Sequence, residues 1–572
     1  MVPPRTRHQT LQSSATGSAS SSRSRQTRWL FAQEISRSPI TPVIWLFIAF
    51  TLRISILTRE SLWRDEVDSI RFAFVPLSEL FSRFNLAGFN GPLYELLLRV
   101  WLNAGGIFDF TARYFSLYFG VLLVPLVYIF ARRVLGKRPA LIASWLATTA
   151  PLLIWYSSET KMYSLQPALL LLALYALRRA IDRRSVVKNN PSDRLLQVGG
   201  SALSRTLSLL RSANSWWAVF VVAVSLGYYV HLLTPLFLPV AITFFLLWWP
   251  KAKAHWVGGA IALALCTLPY VPMAIWQVPT LIAGSNTGHL FYTLDTIVYS
   301  LLYNWSAGLS EAWIPGLPES TVWLPILIFG IAISIALVQV TDDRAVPVHG
   351  MSTGRTVLGL AAWLTIPVLL IYVISTRAPV FEPRYLLWVA PSFYILAATG
   401  ASRLIEHHRT GGSFVILALS LVSVVGFYAQ IVIPIRPDIR GAVQFVARHM
   451  QRDDTFVFQI PYTRYAFEYY LPRFAPQWPA EAAPNPTDGL RTLKGIRQHF
   501  VDGTYTNAGA MPDDVSADLL PLLSNPHPIW YVESEAAMWD QRGMVRAWLD
   551  QHMKLILRDD LRGVTVSLYQ KP

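Results

Sequence analysis

Runs of about 17 to 25 apolar residues recur along the first three quarters of this chain, and about 20 such residues cross a bilayer as an α-helix. That recurrence constrains the fold more than any motif does, and the chain reads as a polytopic α-helical membrane protein. Of its 572 residues, 53% are hydrophobic and 15% charged, where a soluble protein carries about 25% charged residues. Spans are expected at 41–58, 111–131, 139–156, 162–180, 215–233, 235–250, 256–276, 321–340, 357–376, 384–402 and 412–434, eleven in all.

Charge sets the orientation. The formal net charge is +15, and four loops are basic: Arg132 to Arg138, Arg178 to Arg184, Lys251 to Lys253, and Arg403 to Arg409. The positive-inside bias places all four in the cytosol. Counting Pro92 to Gly105 as a span would flip every later loop, and at about 14 residues it is short for crossing. It is expected to be an interfacial or half-inserted helix. Segments 59–110, 157–161, 277–320 and 377–383, and everything after 434, then face outward. Basic residues spread over loops make no single face for nucleic acid, but they suit the headgroups of membrane lipids.

Three domains are expected. Residues 1–38 are rich in Ser, Thr, Arg and Gln and read as a disordered basic cytosolic tail. The first apolar stretch begins too late for a cleavable signal peptide. Residues 39–435 form the transmembrane domain with its long first external loop, 59–110. Residues 436–572 are more charged and read as a soluble external α/β domain. Helices are expected near Arg440 to Met450 and Met544 to His552, and strands at Thr455 to Ile460, Ile529 to Val532 and Gly563 to Tyr569. The connection 474–525 reads as Pro-rich loops with one helix.

The chemistry concentrates at the external boundaries. Trp63-Arg64-Asp65-Glu66 follows the first span. A first-turn helix acid accounts for one carboxylate, but not for two beside a Trp at a bilayer edge. Asp65 and Glu66 are therefore candidates for a general base and its neighbour, with Asp68 in reserve. Adjacent helical side chains point about 100° apart, so both need not reach one atom. A second boundary carries Ser158-Glu159-Thr160-Lys161-Met162-Tyr163, with Lys161 suited to a phosphate and Glu159 to orienting it. A third carries Glu382-Pro383-Arg384-Tyr385, and the Arg384 guanidinium offers a planar fork for phosphate oxygens. His231 closes another external span end. Two acids can also hold a divalent cation through oxygen, so a metal at Asp65 and Glu66 stays open; no cofactor is required. The single cysteine, Cys266, excludes an intramolecular disulfide and a cysteine zinc site. No His-x-x-His or Walker-type loop appears, which counts against a zinc hydrolase or an ATP-driven pump.

At these residues the chain resembles the polyprenyl-phosphate-sugar-dependent glycosyltransferases of the GT-C fold, in the ArnT-like and protein O-mannosyltransferase-like branch. The similarity is carried by Asp65-Glu66, by Gly91-Pro92-Leu93-Tyr94 with Arg113, by Glu159-Thr160-Lys161-Met162-Tyr163, by Arg384-Tyr385-Leu386, and by Asp438-Ile439-Arg440-Gly441. The resemblance implies a bacterial inner-membrane enzyme with a GT-C fold of about eleven transmembrane helices. Its Asp65 would be the catalytic base, and Lys161, Arg384, Tyr163, Glu159, His231 and Tyr385 would line the donor site. The chain departs from the family pattern at Asn90, where a basic or His residue is common, and at Lys161, where Arg is usual.

The expected activity is inverting transfer of a sugar from a polyprenyl-phosphate donor to a hydroxyl on a lipid, glycan or protein acceptor. A transporter or flippase of an amphipathic anion would also use boundary charges, although here they gather outside the spans and no internal repeat is evident. A non-catalytic scaffold of envelope-glycan assembly is the third reading, and would leave Asp65 and Arg384 dispensable.

Overall fold

The structure is a computed structural model. It describes residues 40–84, 89–182, 213–250, 252–275, 290–310, 313–314, 316–338, 352–451, 454–460, 462–475, 480–482, 491–493, 497–500, 511–524, 526–536 and 540–572. The tail expected at 1–38, Arg184, Lys251 and parts of the segments 277–320 and 474–525 lie outside the described residues.

Six helices are long and apolar enough to cross a membrane: Asp109–Leu135, Lys253–Ile275, Ser320–Leu337, Thr353–Ser375, Pro383–His407 and Arg409–Val432. A seventh crossing arises if Lys137–Thr149 and Pro151–Ser157, bent by 56°, count as one. Thr41–Ile54, Ser215–Tyr228 and Thr234–Trp248 are shorter apolar helices, and Leu165–Asp182 is helical as well. Each expected span coincides with one of these elements. Pro92 to Gly105 is an amphipathic helix, Leu93–Gly105, that exposes Leu97, Val100 and Trp101.

The 56° bend has a local cause. Pro151 has no N–H, so the Ala147 carbonyl loses its helical partner. Arg53, fully buried, supplies the missing donors. Its guanidinium donates to the Ala147 and Thr148 carbonyls, each at 3.1 Å, and to Ser157 Oγ at 3.1 Å.

The bundle has two chemically different ends. At one, Arg133 and Arg178 both pair with Asp182, at 2.5 and 2.7 Å. Arg178 also lies 5.3 Å from the Trp248 ring, and Arg138 pairs with Glu406 at 3.1 Å. Three of the four basic stretches thus meet at one end of the bundle. At the other end the Arg64–Phe74 helix carries Asp65.

The C-terminal part is α/β. Its strands are β1 (Thr455–Phe458), β2 (Ala480–Ala482), β3 (Arg491–Leu493), β4 (Arg497–Phe500), β5 (Ile529–Ser534), β6 (Lys554–Leu561) and β7 (Val564–Gln570). Five form a mixed sheet in the order β4-β1-β5-β7-β6, and β2 pairs with β3. β1 runs parallel to β4 and β5, while β7 runs antiparallel to β5 and β6. β1 and β5 are buried at every residue, as parallel strands covered on both faces must be. The helices Ile439–His449 and Met544–His552 fall where expected. The Thr463–Phe474 helix and β6 were not anticipated: a proline at 472 argues against helix, and the polar half of Lys554–Leu561 hides its alternation.

The two parts are pinned at Asp109. Its carboxylate accepts from Tyr469 and Tyr470 hydroxyls at 3.0 and 2.7 Å, and pairs with Arg440 and Arg473 at 2.8 and 3.0 Å. The Tyr470 hydroxyl in turn accepts from the Leu62 amide at 2.7 Å, two residues before the Arg64–Phe74 helix.

Candidate active site

The helix N-terminus at Arg64 divides the two adjacent acids. Side chains one residue apart diverge by about 100°, so Asp65 stays partly exposed while Glu66 turns into the protein. Glu66 and Arg113 are both fully buried. Arg113 Nε and Nη2 donate to the two Glu66 oxygens at 2.8 and 2.6 Å. The Thr160 amide adds a bond at 2.9 Å, and Arg436 Nε lies 3.6 Å away. Burial opposes ionisation here, but Arg113, Arg436 and these hydrogen bonds outweigh it and hold the carboxyl below its ordinary range. Glu66 therefore ties together four segments of chain. Its oxygens are occupied, and it is not placed to exchange a proton with a ligand.

Asp65 is about one-fifth exposed and faces cations. Arg64 Nε lies 3.4 Å from Oδ1, and Arg384 Nη1 3.3 Å from Oδ2. Burial again pushes toward the neutral form, yet Lys161, Arg384 and Arg64 prevail and keep the carboxyl below its usual value. Asp65 is thus an ionised acceptor near neutral pH. Asp68, one turn on, pairs with Arg71 at 3.1 Å. Burial raises its carboxyl above the ordinary value, with Lys161 and Arg71 opposing.

Arg384 comes from the irregular helical turn Pro383–Val389. It lies 5.6, 5.8 and 5.8 Å from the rings of Trp63, Tyr163 and Tyr385, and its Nε is buried without a hydrogen-bond partner among the described residues. His231 is buried beside it, 5.1 Å from the Tyr385 ring and 6.3 Å from Tyr163. Its Nδ1 accepts from the Leu233 amide at 3.1 Å, so the neutral ring carries its proton on Nε2. That Nε2 is also buried without a partner among the described residues. One donor of the Arg384 guanidinium and the neighbouring His231 Nε2 are thus both unmet, and together they can donate to an anion's oxygens.

The loop holding His231 is fixed by the end of the first long loop. The Leu93 amide donates to the Tyr229 carbonyl at 2.9 Å, and Asn90 Oδ1 accepts from the Leu232 amide at 3.1 Å. A Cβ on Gly91 would collide with the Tyr229 backbone. Asn90 is a loop clamp here.

Lys161 exerts its charge on Asp65, Asp68 and the Glu95 carboxyl. Its amide bonds the Glu159 carbonyl at 2.7 Å. The Glu159 side chain does not orient the ammonium. It is buried, one of its oxygens lacks a partner among the described residues, and its foremost charged neighbour is Arg436. Burial lifts its carboxyl to about 7 despite Arg436, with Glu66 adding to the rise. Arg436, which the sequence reading passed over, lies 4.1 Å from the Trp155 ring and donates to the Ser158 carbonyl at 3.2 Å. Its only sequence signal was a basic residue just past the last span.

The acids do not fit a divalent cation. Glu66 has no oxygen to spare, Asp65 is flanked by three cationic side chains, and among the described residues no three His, Cys, Asp or Glu groups converge.

Comparison with solved structures shows the GT-C fold. Two solved structures share it. ArnT from Cupriavidus metallidurans, solved bound to undecaprenyl phosphate, is 12% identical, with 92% of this chain covering 97% of that one at a TM-score of 0.51. The Archaeoglobus fulgidus oligosaccharyltransferase, in its apo form, is 11% identical over 90% of this chain and 72% of its own, at a TM-score of 0.52. No family model and no curated protein sequence matches the chain.

Proposed function

We propose that the protein is an integral-membrane inverting glycosyltransferase that moves a sugar from a polyprenyl-phosphate donor to an acceptor hydroxyl at the external face of a bacterial inner membrane. One observation carries this reading: the Asp65 carboxylate lies 3.3 Å from Arg384 Nη1, and Arg384 Nε and the nearby His231 Nε2 are buried without a partner among the described residues. A base and an anion seat stand side by side, as displacement of a phosphate by a hydroxyl requires.

In this reaction Asp65 takes the acceptor proton as the acceptor oxygen attacks the anomeric carbon. The bond from that carbon to the phosphate oxygen breaks, and polyprenyl phosphate leaves with the electron pair. Attack opposite the leaving group inverts the centre. Arg384 and Lys161 stabilise the charge gathering on the phosphate, and His231 Nε2 donates to one of its oxygens. Tyr163 and Tyr385 wall the guanidinium and exclude water. Glu66, clamped by Arg113, holds the helix that presents Asp65.

The same reading makes all eleven apolar elements membrane crossings, with the 1–38 tail and basic end cytosolic and residues 436–572 external. The bent pair counts as one crossing, and the Leu93–Gly105 helix lies in the interface. The test is to incubate the purified protein in lipid with a panel of radiolabelled polyprenyl-phosphate sugars, beside Asp65→Asn. Sugar release to water or acceptor by wild type alone is expected. Equal release by both would remove Asp65 as the base.

A further inference from the structure

We infer that Glu535, reaching in from the C-terminal domain, is a positioning residue for Asp65: it shares the Arg64 guanidinium and so keeps that cation from closing on Asp65 Oδ1. The inference rests on the assignment of Asp65 as base. Arg64 hangs between two carboxylates, with Nε 3.4 Å from Asp65 Oδ1 and Nη1 3.4 Å from Glu535 Oε2. Both distances exceed those of a tight charge-assisted bond, so neither acid holds the guanidinium alone.

The backbone gives independent support. Glu535 follows the last residue of β5 and has a φ of 51°. A left-handed residue other than glycine persists only where its surroundings over-determine it, and such residues cluster at functional sites. β5 is a fully buried strand beside the parallel β1, so the position of Glu535 is set by the sheet. The carboxyl ends of parallel strands are where α/β sheets present their working groups.

The other charged and titratable groups around Asp65 come from different elements. Arg64 and Asp68 share its helix, Lys161 and Glu159 come from the loop before the Leu165–Asp182 helix, and Arg384, Tyr385 and Tyr163 line the opposite wall. Glu535 brings the C-terminal domain into that set. Without it, Arg64 turns wholly to Asp65, and a carboxylate gripped by arginine is a poorer base.

Carbodiimide labelling of Asp65 in the full-length protein, followed across pH by peptide mass spectrometry, tests this without any donor, because the reagent attacks the protonated carboxyl. Glu535→Gln should move the labelling midpoint to lower pH, with labelling at the wild-type midpoint falling at least about twofold. Arg64→Gln should move it to higher pH, and the double variant should follow Arg64→Gln, since Glu535 acts through that side chain. A midpoint that stays or rises in Glu535→Gln, or a double variant that follows Glu535→Gln, overturns the proposal. Donor turnover by the wild type and by Asp65→Asn is measured alongside. If Asp65→Asn turns over donor as fast as the wild type while the midpoint moves as expected, the base assignment fails and the sharing of Arg64 stands.

Discussion

Asp65 and Glu66 are neighbours in sequence with opposite chemistry. Asp65→Asn should abolish sugar transfer and leave the melting temperature near that of wild type, because the side chain is partly exposed and asparagine keeps its size. Glu66→Gln should instead lower stability by about 3 kcal/mol or more, since it strands the buried Arg113 and Arg436 charges; differential scanning fluorimetry would show it. The pH dependences also differ. Transfer should persist below the ordinary carboxylate range and fail as Asp65, held low against its burial by Lys161, Arg384 and Arg64, gains a proton. Glu159 runs the other way. Its folded value, raised from 4.5 to about 7, means the native state binds more protons than the unfolded chain between those values. Stability should therefore fall as pH rises through that window, by on the order of 3 kcal/mol. Glu159→Gln should abolish that slope in melting temperatures taken from pH 5 to 8. The sequence named Asp65, Arg384 and His231 because charged groups at a bilayer edge are conspicuous. The residues alone could not separate Asp65 from Glu66, because that depends on which of two directions faces Arg113; only the family resemblance singled out Asp65.

At the scale of elements, the site depends on one loop clamping another. Asn90 and Gly91 hold the 229–232 turn, and that turn holds His231. Gly91→Ala should push the two backbones apart, and donor KM should rise more than kcat falls, because the anion seat loosens while Asp65 keeps its place. Transfer kinetics on the reconstituted protein would reveal the split. The positions of the six helices long and apolar enough to cross a membrane were legible, since about twenty apolar residues leave little choice of structure. The bend at Pro151 was half legible: proline marks the break, but only the folded bundle brings Arg53 to the freed carbonyls.

For the whole molecule, Asp109 is the pin. Asp109→Ala removes the acceptor shared by Tyr469, Tyr470, Arg440 and Arg473. Hydrogen exchange at 435–442 and 463–474 should then accelerate while the bundle core stays protected. Orientation can be read with a membrane-impermeant maleimide, because the single native cysteine is buried. Lys571→Cys should label in intact cells, and Arg138→Cys only after permeabilisation.

By itself the sequence determined the class of molecule, the placement of its long apolar helices, the gathering of basic loops at one end and the boundaries where chemistry gathers. These follow from hydropathy and charge, which act locally or against the bilayer and need no partner. Only the tertiary structure decided that Glu66 is a clamp, that Asn90 is a loop clamp, that Glu159 answers to Arg436, and that Glu535 reaches Arg64 from the far end of the chain. Each depends on contact between segments distant in sequence, and a carboxylate has no fixed role until the fold settles which cation stands beside it.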